Sequence, residues 1–220
     1  MCRGRIAQIE ALAAAVPSWR TPLNADPLGG RVDSIVTLFE YLAAAHTLIL
    51  TFALTRALSG VAQAGRPVRR SLLHLSWLGF IVSNCLFAFW AMWGYGDVDW
   101  TLFRFLGLLT VPALMYVFSS IIIPPDPSAV ESWSDYLFEN RIPTFATGGA
   151  LFIAIALSNQ LIQGTSPTHP LELSLYVTVA VFGAGLASAN ARLHAVLAFW
   201  PPLFFVLTLY LMDRPARLFE

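Results

Sequence analysis

Long apolar runs alternate with short polar connections along most of this chain, and each run has roughly the 20 residues that an α-helix needs to cross a hydrocarbon core about 30 Å thick. The first extends from about Asp33 to Leu58, the second from about Ser71 to Trp93 and the third from about Thr101 to Ile123. A fourth starts near Pro143 and ends near Gln163, a fifth runs from about Leu171 to Ala191, and the sixth ends near Met212. Prolines punctuate the pattern. Pro124 and Pro125 end the third run because neither can donate an amide hydrogen, whereas Pro112 falls inside it. Pro201 and Pro202 follow Trp200 within the sixth run and predict a kink there.

Shorter amphipathic stretches lie outside the runs. Ile6, Ile9, Ala13 and Val16 share one face of a helix stopped by Pro17, while Gln8 and Glu10 interrupt the apolar core that a cleaved leader would need. Ser128 and Glu131 have capping-box spacing, and Val130, Trp133 and Leu137 form a stripe opposite Asp135 and Glu139. The expected fold class is all-α: a polytopic transmembrane helical bundle of about six spans over residues 32–220. An interfacial amphipathic segment over 1–31 precedes it, and a surface helix near 128–141 lies flat beside it. Gly183, Ala187 and Ala191 repeat small residues at four-residue spacing, which predicts close helix packing within the bundle, with a dimerisation face as the other use.

Composition agrees and removes several chemistries. The chain is 57% hydrophobic and 12% charged, with a mean hydropathy of +0.66, outside the range of a soluble domain. Every basic residue is arginine; without lysine there is no retinal or pyridoxal-phosphate Schiff base and no Walker-type phosphate loop. The net charge is zero, so no nucleic-acid partner is expected. Cys2 and Cys85 stand in separate segments and offer no metal-ligand spacing. The first linker, residues 56–70, carries Arg56, Arg66, Arg69 and Arg70 without an acid, and the positive-inside rule makes it cytoplasmic. The next connection holds Asp97 and Asp99 and falls on the other side, with Trp90, Trp93, Tyr95 and Trp100 as an interfacial aromatic belt. Arg20, Arg31, Arg214 and Arg217 on the outer side dilute this bias.

Four features could carry chemistry. Asp33, Thr37, Glu40, Thr47, Thr51 and Thr55 recur at helical spacing on the first span, with Ala44 in the gap, and an acid within a span is by default a functional candidate. This face is expected to avoid lipid and to serve an ion or proton pathway; the alternative is that the threonines bond their own helix and Glu40 is neutral or paired with arginine. Gly94, Tyr95, Gly96 and Asp97 resemble the tail of a potassium-channel selectivity filter, but Met92 and Trp93 stand where the filter has Thr-Val, and a plain turn between spans is the competing reading. The same four residues resemble the Gly-x-Gly-Asp element of intramembrane aspartyl proteases, although neither Asp33 nor Asp213 stands in the partner motif. His74 and His194 lie near one membrane edge and form the one histidine pair at matching depth for haem, against satisfied interfacial histidines. His74, Trp77 and Asn84 share a face, with Asn84 expected to bond another helix.

Taken together, His74-Leu75-x-Trp77, Phe89-Trp90-x-x-Trp93, Trp100-Thr101, Pro112-x-x-x-Tyr116, Pro124 and Asp135-Tyr136 to Asn140-Arg141 resemble a family of uncharacterised bacterial multi-pass inner-membrane proteins over residues 32 to 163. The resemblance implies a fold and a location and no activity. It leads to the expectation of a non-enzymatic accessory, sensory or assembly component of the bacterial cytoplasmic membrane, in contact with lipid and with protein partners or further copies of itself. Two alternatives stay open: a small channel or transporter using Glu40 and the threonine face, and a membrane enzyme or haem protein using His74 and His194.

Overall fold

The computed structural model describes residues 37–64, 72–96, 98–126 and 129–212. Every helix named below lies between Leu38 and Met212 and belongs to one compact unit. The expected interfacial segment over 1–31, Asp33, Asp97 and Ser128 lie outside the described residues.

Among the described residues there are helices and no strand. Helix α1 spans Leu38–Ala64, and α2 spans Leu72–Ala91 with a 3₁₀ turn, Met92–Tyr95, at its end. Then come α3 (Leu102–Ile122), short α4 (Trp133–Glu139) and α5 (Arg141–Ser158), which runs on into a π turn at Asn159–Gln163. The last are α6 (Pro170–Ala187), α7 (Ala191–Leu197) and α8 (Trp200–Met212). With α7 and α8 taken as one segment, 6 helical stretches are long and apolar enough to cross a membrane, which suggests a multi-pass membrane protein. The outer surface fits that solvent: Leu72, Trp93, Phe103 and Phe199 are all exposed.

Helices α2, α3, α5, α6 and α8 pack in succession into a closed ring, and α1 lies against α2 and α3. Where lipid removes most of the hydrophobic drive between helices, fit must hold such a ring together. Here the fit is aromatic. Phe182 of α6 stands at the centre, its ring 5.4 Å from Trp77, 5.7 Å from Phe152 and 5.8 Å from both Phe118 and Phe145. Two glycines make room: a Cβ at Gly148 would collide with the Phe182 ring, and one at Gly185 with the Phe145 ring. Gly183, Ala187 and Ala191 instead face outward, so the small-residue repeat read from the sequence does not serve packing inside the bundle.

The proline pair breaks the last span outright. Pro202 has no amide hydrogen for the carbonyl of Ala198, four residues earlier, and the helix is interrupted between Leu197 and Trp200. Ser76 Oγ of α2 donates to that carbonyl at 2.6 Å, which satisfies a group that the helix itself leaves without a donor. Ser76→Ala is expected to cost about 1–3 kcal/mol, read as a lowered unfolding midpoint in detergent.

At the same end of the bundle, α4 is held by its neighbours. Its cap is Ser132, whose side chain accepts from the Asp135 amide, one turn later than the expected Ser128–Glu131 box. Trp133 and Leu137 are buried as the stripe required, and Val130 with them. Tyr136 Oη donates to the Ile121 carbonyl at 2.8 Å and Arg56 Nη2 to the Ile123 carbonyl at 2.8 Å, so the last carbonyls before Pro124-Pro125 are capped by side chains. Burial raises the Tyr136 pKa, opposed by the Arg56 charge, which keeps the phenol a donor. Arg56 therefore sits inside α1, which continues to Ala64, rather than in the arginine-rich linker.

Candidate functional site

The threonine face does not turn inward. Thr37, Glu40, Ala44, Thr51 and Thr55 are exposed and Thr47 is half-buried, while Leu42, His46, Leu50, Ala53 and Ala57 of α1 are buried. Helical spacing picked out a real face, and in the single chain that face is turned away from the bundle. Thr51 Oγ1 bonds the Thr47 carbonyl of its own helix at 2.7 Å.

Gly94 and Tyr95 belong to the 3₁₀ turn that prolongs α2, with Gly96 as its cap. The Tyr95 ring is buried and meets Trp100 edge-on at 6.3 Å. This is a helical end leading into a connection, and α2 with its turn is one continuous stretch long and apolar enough to cross a membrane. Trp90 and Trp93 are exposed as a belt requires, whereas Tyr95 and Trp100 pack inward. Asn84 donates to the Phe80 carbonyl at 2.8 Å and so bonds its own helix rather than another.

His74 and His194 are both buried, but they face different surroundings. His74 stacks on Trp133 with ring centroids 4.2 Å apart. His194 places Nε2 2.9 Å from the Ser188 carbonyl and meets the Phe145 ring edge-on at 5.0 Å. The groove at this end is lined by His194 and not by His74, so the two imidazoles are not presented to a shared space as axial haem ligands would be. Among the described residues no three histidine, cysteine, aspartate or glutamate side chains cluster.

A different site emerges at the opposite end of the ring. An open-sided cavity of about 470 Å³ lies among α1, α2, α3, α5, α6 and α8, within the range of small-molecule sites. Exposed Trp90, Trp93, Gln163 and Met212 stand at its mouth, and buried Met115, Phe204, His46 and Thr208 lie deeper. None of the described residues that line it is charged. Its rim is fixed by a polar network: Glu172, fully buried in the first turn of α6, accepts from Asn159 Nδ2 at 2.8 Å and from Gln160 Nε2 at 3.4 Å. Gln163 meets the Tyr95 hydroxyl, and Arg104 ties the Leu161 and Asp99 carbonyls at 3.1 and 2.6 Å. The π turn itself widens the helix where it borders the cavity, an irregularity that recurs at functional sites.

Deeper in, neither ring nitrogen of His46 nor Thr208 Oγ1 makes a hydrogen bond of good geometry within the described residues, though they are only 2% and 4% exposed. The Leu108 carbonyl lies beside His46. That carbonyl is one that Pro112, four residues on, cannot serve. Sequence reading passed over this set. Neither Glu172 nor Thr208 was singled out there. The available signal was that the sixth span's Thr208 and the first span's His46 are polar groups well inside otherwise greasy helices.

No protein-family model, no curated protein and no solved structure matches this chain, so the aromatic and proline placements carry no family assignment.

Proposed function

We propose that this protein is a non-enzymatic membrane component that binds a small lipid-soluble molecule in the cavity between its helices, in a sensory or accessory role. The observation that carries the reading is a cavity of about 470 Å³ with an uncharged, mixed polar and apolar lining. A site of that size is costly to keep in a packed bundle unless something fills it. Its polar groups serve architecture more than reaction: Ser158 Oγ donates to the Gly107 carbonyl at 3.2 Å, Asn159 is spent on Glu172, and His169 Nδ1 accepts from the Leu171 amide. No nucleophile and base converge among these bonds. The arginine-rich linker favours placing the cavity mouth on the outer side of a cytoplasmic membrane.

Filling the cavity tests the reading. Ala88→Phe or Ala91→Phe, each at a half-buried lining position, is expected to leave the fold intact and abolish retention of amphiphiles by the purified protein, measured by native mass spectrometry. Equal retention by wild-type and filled proteins would end the proposal.

A second reading keeps an ion or proton pathway along Glu40, Thr47 and Thr51. The outward position of that face favours it only between subunits, around a shared axis. Proteoliposome flux that persists unchanged in Glu40→Gln would remove it.

A further inference from the structure

The proposed binding role rests on the cavity as a whole; its floor points to the chemistry of the occupant. His46 and Thr208 come from different helices, α1 and α8, and line the same cavity. Both are more than nine-tenths buried, and neither meets a hydrogen-bond partner of good geometry among the described residues. The Leu108 carbonyl beside His46 can take one ring N–H, which leaves the second ring nitrogen and Thr208 Oγ1 costly to keep unsatisfied in an apolar bundle, and a ligand in the cavity can serve both. The space, more than tenfold the roughly 30 Å³ share of one water molecule, has room for a ligand as well as water.

The lining constrains charge. No aspartate, glutamate or arginine is among the described lining residues, and the one buried acid close by, Glu172, directs its oxygens to Asn159 and Gln160. An ion desolvated here would find no counter-charge, so a charged headgroup is disfavoured. The Leu108 carbonyl constrains polarity further. It can only accept, and a histidine ring turned toward it presents N–H there, which leaves the other ring nitrogen with a lone pair. A lone pair on His46 wants a donor, and Thr208 Oγ1 can then serve the same head as donor or acceptor. Around them, Met115, Phe204, Phe87 and Leu175 offer apolar walls for a ring or chain.

We infer that the cavity selects a neutral amphiphile whose head carries a hydroxyl group, bonded to His46 and Thr208 at the floor with its apolar body between α2, α5 and α8. Phenols, quinols and prenyl or polycyclic alcohols share this chemistry.

The test titrates full-length protein in nanodiscs with 4-octylphenol, its methyl ether and octanoate, with Ala88→Phe protein as the baseline for partition into lipid. The phenol is expected to bind about tenfold more tightly than the ether, the worth of one hydrogen bond, and octanoate not to compete. His46→Phe is expected to bring phenol and ether within about twofold of each other without loss of ether binding, whereas Thr208→Val, which keeps the shape, is expected to weaken both probes alike and leave the phenol's preference in place. Equal affinities for phenol and ether in the wild-type protein would overturn the hydroxyl inference and leave the binding role standing. So would tight octanoate binding. If none of the three probes binds above the filled baseline, the binding role falls with it.

Discussion

Replacing Phe182 with alanine is expected to lower the stability of this bundle by about 3–5 kcal/mol, the largest loss of any single substitution in the core. Phe182 is 0% exposed and its ring touches rings from α2, α3 and α5 at once, among them Phe80, Phe118 and Phe152. Removing it leaves a void that none of these neighbours can fill without leaving its own partners. The complementary change acts on the socket. Gly148→Ala forces a methyl group into the Phe182 ring and is expected to cost about 1–3 kcal/mol. In the double variant Phe182→Ala with Gly148→Ala the methyl meets no ring, so the combined loss should fall below the sum of the two singles. Unfolding midpoints of the four proteins in one detergent measure that difference. Strict additivity would mean that the glycine and the ring are not paired.

Glu172→Ala should produce the second large effect, on the site rather than on the core. The carboxylate is the acceptor for Asn159 and Gln160, and without it the Asn159 amide on the π turn loses its partner while Gln160 keeps only the Tyr176 hydroxyl. The expected loss is about 1–3 kcal/mol, concentrated locally: amide exchange over residues 159–169 should accelerate while the α2 and α3 interiors keep their protection. Because Asn159, Gln163, Thr165 and His169 all line the cavity, amphiphile binding should weaken along with that protection. Glu172→Gln retains one acceptor oxygen and should fall between the two. If exchange at 159–169 is unchanged in Glu172→Ala, the carboxylate does not anchor the rim.

The helical class and the number of long apolar segments were legible because spanning length is a one-dimensional property, written in runs such as Leu102–Ile122. Breaks at Pro124-Pro125 and Pro201-Pro202 were legible for the same local reason. What could not be read was which way a face turns. The Glu40–Thr51 stripe and the Gly183–Ala191 repeat have clear helical spacing, yet both lie on the outside. Amphipathic contrast tells inside from outside when water is the solvent; in a chain apolar on all sides that contrast vanishes. Gly148 and Gly185 could not be told from other small residues, since their importance depends on rings supplied by distant helices. The cavity was hidden likewise, because His46 and Thr208 are far apart in sequence and come to line one space only when the helices pack.

Helices α6 and α7 are joined by residues 188–190 alone, and His194 reaches back to bond the Ser188 carbonyl. A link that short cannot let one rod enter a bilayer while the other waits in water. The segment from α6 to α8 is therefore expected to enter a bilayer as a preformed hairpin, and any change that lengthens this tether is expected to uncouple the two insertions.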